Sequence, residues 1–336
     1  MSRKQIHEIQ YQPTLDVFQT QEAIKFIKDD FQQRLSKKLH LLRVSAPLFV
    51  REDSGLNDGL NGVERPISFD IHGVGSDVEI VHSLAKWKRM ALGKYNIAYR
   101  EGLYTDMNAI RKDETLDFIH SCYVDQWDWE VSIQEKDRTL AYLKSTVRSI
   151  YAAILGVARA VENRYPELVC PLPSKITFVS TRQAEKRYPD LSRKEREDAL
   201  TREYGAVFLY QIGGKLRDGK PHDGRAADYD DWNLNGDILV HYPLYDMALE
   251  LSSMGIRVNK ERLRIQLAEK GELDKLDNAY CKAILSDTIP QSIGGGIGQS
   301  RLSMFLLQKA HIGEVQVSVW DDQQLEELKT LGIALL

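Results

Sequence analysis

The sequence is poor in cysteine and has no long apolar run. Its three cysteines, Cys122, Cys170 and Cys281, are widely spaced and include no CxxC pair. This set predicts neither a disulfide framework nor a zinc site, and it fits a reducing compartment. Residues 1–16 contain no apolar signal core, and no stretch approaches the roughly 18 apolar residues of a membrane span. These absences predict a soluble cytoplasmic protein that does not enter a membrane.

An excess of positive charge is also missing. The 336 residues include 45 Lys and Arg against 49 Asp and Glu, a formal net charge of -4. Broad binding to nucleic acid usually leaves a basic surface, so we expect no nucleic-acid partner. Hydrophobic residues at 43% are ordinary for a globular protein, and the length permits a large core. With no internal repeat or linker, residues 1–336 are expected to form a single domain.

Hydrophobic periodicity predicts a mixture of helices and strands. Apolar residues at three- and four-residue spacing predict helices over 21–39, with Thr20 as N-cap, and over 141–164. Ser192 followed by Glu195 matches a capping box and predicts a third helix start. Further helical segments are expected over 259–285 and 299–309. Strand-like runs occupy residues 41–50, 67–71, 78–83, 123–130, 175–180, 206–213, 237–242, 247–258 and 313–320.

A glycine cluster at residues 291–304, QSIGGGIGQSRLSM, is the most unusual segment. Gly296 and Gly298 precede a predicted helix that carries Arg301 in its first turn. Glycine permits close backbone approach, and a helix N-terminus beside a guanidinium binds anions well. The spacing excludes both a P-loop and a GxGxxG dinucleotide loop. Close packing without a ligand is the alternative, and the segment alone does not decide between them.

The predicted strand over 123–130 carries acidic residues on one face. Alternation places Val124, Gln126, Asp128 and Glu130 on that face and the two tryptophans on the other. Carboxylates in a sheet are costly to bury without partners, so this row suggests the floor of a polar pocket. An edge strand with one wet face is the alternative.

Charged residues also cluster at three other places. Lys86, Lys88 and Arg89 form either a solvated basic turn or a cationic pocket for a carboxylate, and the polar loop 53–62 presents Asp58. The long loop 213–237 has the composition of a lid or binding loop and contains Arg225. It also holds the acidic cluster of Asp228, Asp230 and Asp231.

Two acids lie within apolar strands, Asp237 and Glu250. Such a pair suits a hard cation such as Mg²⁺, which also takes phosphate oxygens and water as ligands. Two exposed strand acids are the alternative, and spacing alone favours neither.

In this order, the segments resemble the class II aminoacyl-tRNA synthetase catalytic domain, an α+β fold with a mostly antiparallel sheet flanked by helices. The helix and strand ending at Pro47 resemble motif 1, residues 111–130 resemble motif 2, and GGGIGQSR with Arg301 resembles motif 3. The predicted motif 1 begins near residue 20, which leaves no room for an anticodon-binding barrel before it.

The ammonia-dependent asparagine synthetase family, which shares that fold, is more similar still. Its pattern matches six segments: VHSLAKWKR (81–89), EGLYTDMNAIR (101–111), YVDQWDWE (123–130), DYDDW (228–232), NGDILV (235–240) and IGGGIGQSRL (293–302). The resemblance implies ATP-dependent amidation of L-aspartate with ammonia through a β-aspartyl-adenylate, which releases AMP and pyrophosphate. No glutamine-hydrolysing part is visible, so free ammonia is the expected nitrogen donor.

The resemblance also implies roles for residues at the nucleotide. Arg111 would hold the α-phosphate and the reacting carboxylate, Arg301 and Arg225 the pyrophosphate end, and Glu114 would lie near adenine. Asp237 and Glu250 would hold Mg²⁺ on ATP, and Gly296 and Gly298 would form a backbone shelf beneath it.

Other residues would bind aspartate by the same resemblance. Asp58, Gln126 and Asp128 would take the α-ammonium and Lys88 the α-carboxylate, so that the β-carboxylate meets the α-phosphate; Ser253 belongs to the same subsite. Asp58 or Asp230 is the expected proton acceptor for ammonium.

The resemblance further implies a homodimer through residues 20–50. Two other functions stay open at this point: a paralogue that adenylates an amino acid for transfer to tRNA or a carrier, and a non-catalytic paralogue that binds an amino acid or nucleotide.

Overall fold

A large, mostly antiparallel sheet organises the chain. The computed structural model describes residues 6–60 and 64–336. Eight strands form this sheet in the order β1-β5-β6-β11-β10-β9-β8-β7, and β2, β4 and β3 form a small second sheet. The strands are β1 Leu41–Arg43, β2 Phe49–Arg51, β3 Ser68–Phe69, β4 Val78–Ile80, β5 Gly102–Ile110, β6 Tyr123–Ile133, β7 Thr177–Ser180, β8 Ala206–Tyr210, β9 Asp230–Tyr242, β10 Met247–Arg257 and β11 Gln291–Gly298. Within the large sheet only the outer pairs β1/β5 and β7/β8 run parallel.

Helices cover this sheet. They are α1 Val17–Leu39, α2 Ala85–Lys94, α3 Leu140–Arg164, α4 Thr181–Arg187, α5 Arg193–Tyr204, α6 Lys260–Lys270, α7 Ala279–Leu285, α8 Gln299–Leu306 and α9 Asp322–Thr330. The capping box predicted at Ser192 and Glu195 is confirmed as the start of α5. Among the described residues, no helix is both long and apolar enough to cross a membrane.

The main core lies between the large sheet and the long helices α1 and α3. The predicted apolar stripes are buried there, including Ile27 and Phe31 of α1 and Ile150 and Ile154 of α3. Phe31 packs on Trp127 of β6 with ring centroids 4.6 Å apart. Because β6 has a paired strand on each side, the edge-strand alternative for residues 123–130 is wrong.

Several predicted boundaries are wrong. Helix α1 begins earlier than expected because Asp16, not Thr20, is its N-cap, in a reciprocal pair of bonds with Gln19. The run 41–50 is two strands in different sheets, since it breaks before Pro47. The predicted loop 213–237 ends at Asp230, where β9 begins. Residues 61 and 62 of the loop around Asp58 lie outside the described residues.

The C-terminal segment differs most from its prediction. Residues 313–320 alternate in polarity but form no strand; a 3-10 turn, Ile312–Glu314, and irregular chain replace it, followed by helix α9. Val317 and Val319 are exposed while Gln316 is buried. The strand prediction is therefore wrong, because period-2 patterning does not distinguish a paired strand from irregular chain that packs on the core.

Candidate active site

One cavity of about 370 Å³ opens above the middle of the large sheet. Strands β6, β10 and β11 form its floor, and the loops that carry Asp58 and Arg225 form part of its walls. All site residues expected from the sequence line it except Asp237. These are Asp58, Lys88, Arg111, Glu114, Gln126, Asp128, Arg225, Asp230, Glu250, Ser253, Gly296, Gly298 and Arg301.

The glycines of β11 allow the acidic row of β6 to lie flat across the floor. None of Gly294, Gly295, Gly296 or Gly298 has a positive φ, so conformational freedom is not what requires glycine here. A Cβ on Gly294 would lie 1.8 Å from Oε2 of Glu130, which demonstrates the close approach. The glycine segment forms strand β11, and helix α8 follows it directly.

The basic cluster of residues 86–89 is buried in helix α2, so the solvated-turn alternative is wrong. Nζ of Lys88 donates to Oδ1 of Asp128 at 2.8 Å and to the carbonyl oxygen of Gly295 at 3.0 Å. Burial lowers the pKa of Lys88, although Asp128 opposes this. Two residues expected to bind the oppositely charged α-ammonium and α-carboxylate of aspartate thus contact each other directly.

Asp58 is held in place by its own loop. Its Oδ1 accepts from the Leu60 N–H at 2.8 Å, and its Oδ2 accepts from the Ser83 hydroxyl at 2.8 Å. The side chain is buried yet borders the cavity. Both oxygens are therefore already oriented by hydrogen bonds.

Arg111, Arg225 and Arg301 supply positive charge to the cavity. Nη2 of Arg111 approaches the His82 carbonyl oxygen at 3.5 Å, and its buried Nε finds no hydrogen-bond partner among the described residues. Nη1 of Arg301 donates to the Glu250 carbonyl oxygen at 3.3 Å. These guanidinium groups keep donors available for an anion.

Asp237 and Glu250 lie on the neighbouring strands β9 and β10. Asp237 forms an ion pair with Arg225, while its Oδ1 is buried without a hydrogen-bond partner in the described part of the chain. Burial raises the pKa of Asp237 to about 7, and the negative charge of Glu250 adds to this effect. Burial also acts to raise the pKa of Glu250, but Arg301 and Arg225 outweigh it and hold that pKa below its usual range.

Asp237 and Glu250 could hold a magnesium ion only if other groups supplied its remaining ligands. Within residues 6–60 and 64–336, no group of three or more His, Cys, Asp or Glu side chains could hold a metal. Mg²⁺ commonly takes one or two carboxylates and completes its shell with phosphate oxygens and water. The unpartnered Oδ1 of Asp237 and the nearby Glu250 match such a site.

Arg257 lines the cavity, and the sequence prediction gave it no role. Arg257 donates to both oxygens of Glu130, at 2.9 and 2.6 Å, and also binds Oδ1 of Asp230. Alternation had placed Glu130 on the pocket face, and Arg257 was visible as the end of a strand. Their pairing requires β6 and β10 to flank β11, which only the sheet order reveals.

The expected anion site at the start of α8 is not free. The backbone N–H of Ser300 donates to Oδ1 of Asp125 at 3.0 Å, so a carboxylate of the protein already occupies this helix end. The backbone of α8 is therefore not an open phosphate site here.

Solved structures share this fold. Asparaginyl-tRNA synthetase from Pyrococcus horikoshii, complexed with asparaginyl-adenylate, aligns with a TM-score of 0.64 and 14% identity, covering 88% of this chain and 68% of that chain. The enzyme of the same name from Entamoeba histolytica gives a TM-score of 0.59 at 14% identity, covering 88% and 67%. The fold and its cavity define a class II aminoacyl-tRNA synthetase-like catalytic core, as expected.

Sequence relatives narrow the class to one family. A family model described as aspartate-ammonia ligase matches residues 18–332. An aspartate–ammonia ligase of Fusobacterium nucleatum is 55% identical over 326 residues, covering 97% of this chain and 99% of that protein. One of Bacillus cytotoxicus is 55% identical over 325 residues, with the same coverage. The chain belongs to the aspartate–ammonia ligase family, and the expectation of a ligase is confirmed.

Proposed function

We propose that this protein makes L-asparagine from L-aspartate, ATP and ammonia through a β-aspartyl-adenylate, with release of AMP and pyrophosphate. The observation that carries this proposal is one cavity lined by both acceptors and cations. Asp58, Gln126 and Asp128 supply acceptors, and Arg111, Arg225 and Arg301 supply cations. An amino acid's ammonium requires the acceptors, and the phosphates of a nucleoside triphosphate require the cations.

Among the cations, Arg111 binds the α-phosphate and the reacting carboxylate. Negative charge shifts from the α-phosphorus to the departing pyrophosphate as the adenylate forms, and Arg301 and Arg225 stabilise it there. The buried, unpartnered Nε of Arg111 supports the first role, because an orphaned buried donor needs an acceptor. Glu114 lies on the same wall and contacts adenine, with Gly296 and Gly298 beneath the nucleotide.

Asp237 and Glu250 hold Mg²⁺ on the phosphates of ATP. The ion supplies charge neutralisation to the phosphate oxygens when it is bound. The unpartnered Oδ1 of Asp237 supports this assignment, whereas the ion pair with Arg225 uses the other oxygen.

Among the acceptors, Asp58, Gln126 and Asp128 take hydrogen bonds from the α-ammonium. Lys88 binds the α-carboxylate, with Ser253 close by, so that the β-carboxylate points toward Arg111. Lys88 and Asp128 form an ion pair, so the opposite charges that the α-ammonium and the α-carboxylate require lie side by side.

Asp230 accepts a proton from ammonium, and the lone pair of the ammonia that results attacks the acyl carbon of the adenylate, so that the new C–N bond replaces the bond to AMP, which leaves. Asp58 is the second candidate; both of its oxygens accept internal hydrogen bonds, whereas the contact of Asp230 with Arg257 uses its Oδ1. Burial raises the pKa of Asp230 even though Arg257 opposes the effect. A raised pKa suits a general base better, because it lies nearer to neutral pH.

The proposal includes a homodimer of single-domain subunits, residues 1–336. The contact is formed by α1 and the segment up to residue 50. Exposed apolar side chains in and beside it, including Phe18, Leu42, Leu48 and Phe49, support a buried surface there. Size measurement in solution tests it, and a monomer at all concentrations contradicts it.

One assay tests the activity. The protein is incubated with aspartate, Mg-ATP and, separately, ammonium, glutamine or tRNA. We expect AMP and asparagine to appear with ammonium alone. ADP as the nucleotide product would contradict the adenylate, and an aspartyl-tRNA product would favour the synthetase-like alternative. Asn replacement of Asp230 should slow aminolysis of the adenylate and spare pyrophosphate exchange; an equal loss of both would contradict its role as base.

A further inference from the structure

Helix α8 begins at the cavity, and its first turn is capped by a residue from another strand. Gly298 precedes the helix and has no side chain with which to cap it. Oδ1 of Asp125, on β6, accepts from the Ser300 N–H instead, at 3.0 Å. Arg301 is the next residue along this turn. The direction of the Arg301 side chain therefore depends on a turn that Asp125 holds.

The Asp125 carboxylate is itself fixed from three sides. Its Oδ1 also accepts from Nε2 of Gln316 at 3.2 Å, and Gln316 donates in turn to the Ser300 hydroxyl at 3.1 Å. Its Oδ2 pairs with Nζ of Lys28, on α1, at 3.2 Å. The Asp125 side chain is only 8% exposed. This carboxylate joins α1, β6, α8 and the segment after residue 315.

We propose that Asp125 is a positioning residue for the nucleotide end of the site. It holds the first turn of α8 so that Arg301 faces the departing pyrophosphate, and Lys28 holds Asp125. The inference rests on the proposed role of Arg301. Asp125 does not itself bind the nucleotide, because its oxygens are occupied and its charge repels phosphate.

Whether removal of the Asp125 carboxylate weakens or tightens nucleotide binding distinguishes a positioning role from a blocking role. If the α8 N-terminus were a phosphate site that Asp125 blocks, removing the carboxylate would free the Ser300 N–H and tighten binding. If Asp125 positions Arg301, removing it weakens binding of ATP and pyrophosphate. A purely structural role would lower stability without distinguishing nucleotide from aspartate.

The experiment measures KM for ATP, pyrophosphate and aspartate in aspartate-dependent ATP–pyrophosphate exchange. We expect Asp125→Ala to raise KM for ATP and pyrophosphate by about tenfold or more, because small misplacement of a charged group is costly, and to change KM for aspartate by less than about twofold. Asp125→Asn keeps an acceptor oxygen for Ser300 and should lie between wild type and Asp125→Ala. Lys28→Met should give a smaller loss of the same kind.

Lys25→Met is the matched control. Lys25 lies one turn before Lys28 on α1 but pairs with Asp29 at 2.5 Å. The Lys25→Met variant should leave all three KM values unchanged. An effect of Lys28→Met can then be assigned to loss of its contact with Asp125 and not to the loss of a lysine from this helix.

Three outcomes would overturn the inference. They are unchanged or tighter nucleotide binding in Asp125→Ala, an equal rise in KM for aspartate, and a Lys25→Met effect as large as that of Lys28→Met. If Asp125→Ala does not fold, the test uses Asp125→Asn and Lys28→Met. Unchanged KM values for ATP and pyrophosphate in both variants would then contradict the inference. Arg301→Met is measured in parallel. If Arg301→Met leaves pyrophosphate affinity unchanged, both the proposed role of Arg301 and the inference about Asp125 are wrong. If Arg301→Met weakens pyrophosphate binding but the Asp125 variants do not, only the inference about Asp125 is wrong.

Discussion

A Cβ atom on Gly296 would lie 2.1 Å from Oε1 of Gln126 and 2.9 Å from Oδ1 of Asp128. The glycine strand is thus shaped by the side chains of its neighbour β6, with which Gly296 is paired opposite Asp128. Two residues proposed to bind the substrate ammonium lie where they do because residue 296 has no side chain.

Gly296→Ala should therefore weaken aspartate binding through Gln126. Loss of one hydrogen bond to a charged group costs about 1.5–3 kcal/mol, so KM for aspartate should rise about tenfold or more. Gly214→Ala is the control, since its Cβ would meet only the Gln211 carbonyl oxygen, at 3.9 Å. An unchanged KM for aspartate in Gly296→Ala would contradict the role of Gln126.

Asp237→Asn should raise the Mg²⁺ concentration needed for half-maximal activity, on the order of tenfold, because an amide is a weaker ligand than a carboxylate. The measurement is a magnesium titration at saturating ATP and aspartate. Asp223→Asn is the control, because Asp223 also contacts Arg225, at 3.4 Å, but is not a proposed ligand. Equal shifts in both variants would assign the effect to Arg225 instead of the metal.

Breaking the Lys88–Asp128 pair should destabilise the fold as well as abolish activity. Removal of one partner leaves an uncompensated buried charge, which costs about 3–5 kcal/mol. Lys88→Met and Asp128→Leu should each lower the free energy of unfolding in urea by this amount, and the double variant should lose less than the sum. Full additivity would show that the pair does not interact energetically.

His311 should make stability depend on pH. Burial lowers its pKa from 6.5 to about 4, while Asp117 opposes this weakly. As pH falls below 6.5, His311 therefore takes up a proton in the unfolded chain before it does so in the folded protein. The free energy of unfolding should fall between pH 6.5 and pH 4, by about 3 kcal/mol.

The free energy of unfolding measured across that range should be flatter in His311→Gln than in wild type. His7→Gln, at a side chain that is 63% exposed, should retain the wild-type slope. Parallel profiles for wild type and His311→Gln would exclude His311 as the source.

Much of the candidate site was predictable because its residues belong to contiguous segments. The VHSLAKWKR, YVDQWDWE and IGGGIGQSRL segments carry Lys88, Asp128 and Arg301, and the family and fold inferred from them are confirmed. The α5 capping box also depends on residues close in the chain. The errors at Thr20 and at 313–320 arose where several local solutions fit the same pattern and packing chose between them.

Fold class, family and the alternation of side chains toward the cavity can be read from the amino-acid sequence, because periodicity and local motifs are properties of neighbouring residues. The contacts that those side chains make depend on the folded arrangement of the strands. Arg257 meets Glu130 across the intervening strand β11, and Asp125 caps helix α8 through a hydrogen bond to Ser300, which lies 175 residues later in the chain. Sheet order brings such groups together, and buried charges then require these partners, which no spacing along the chain records.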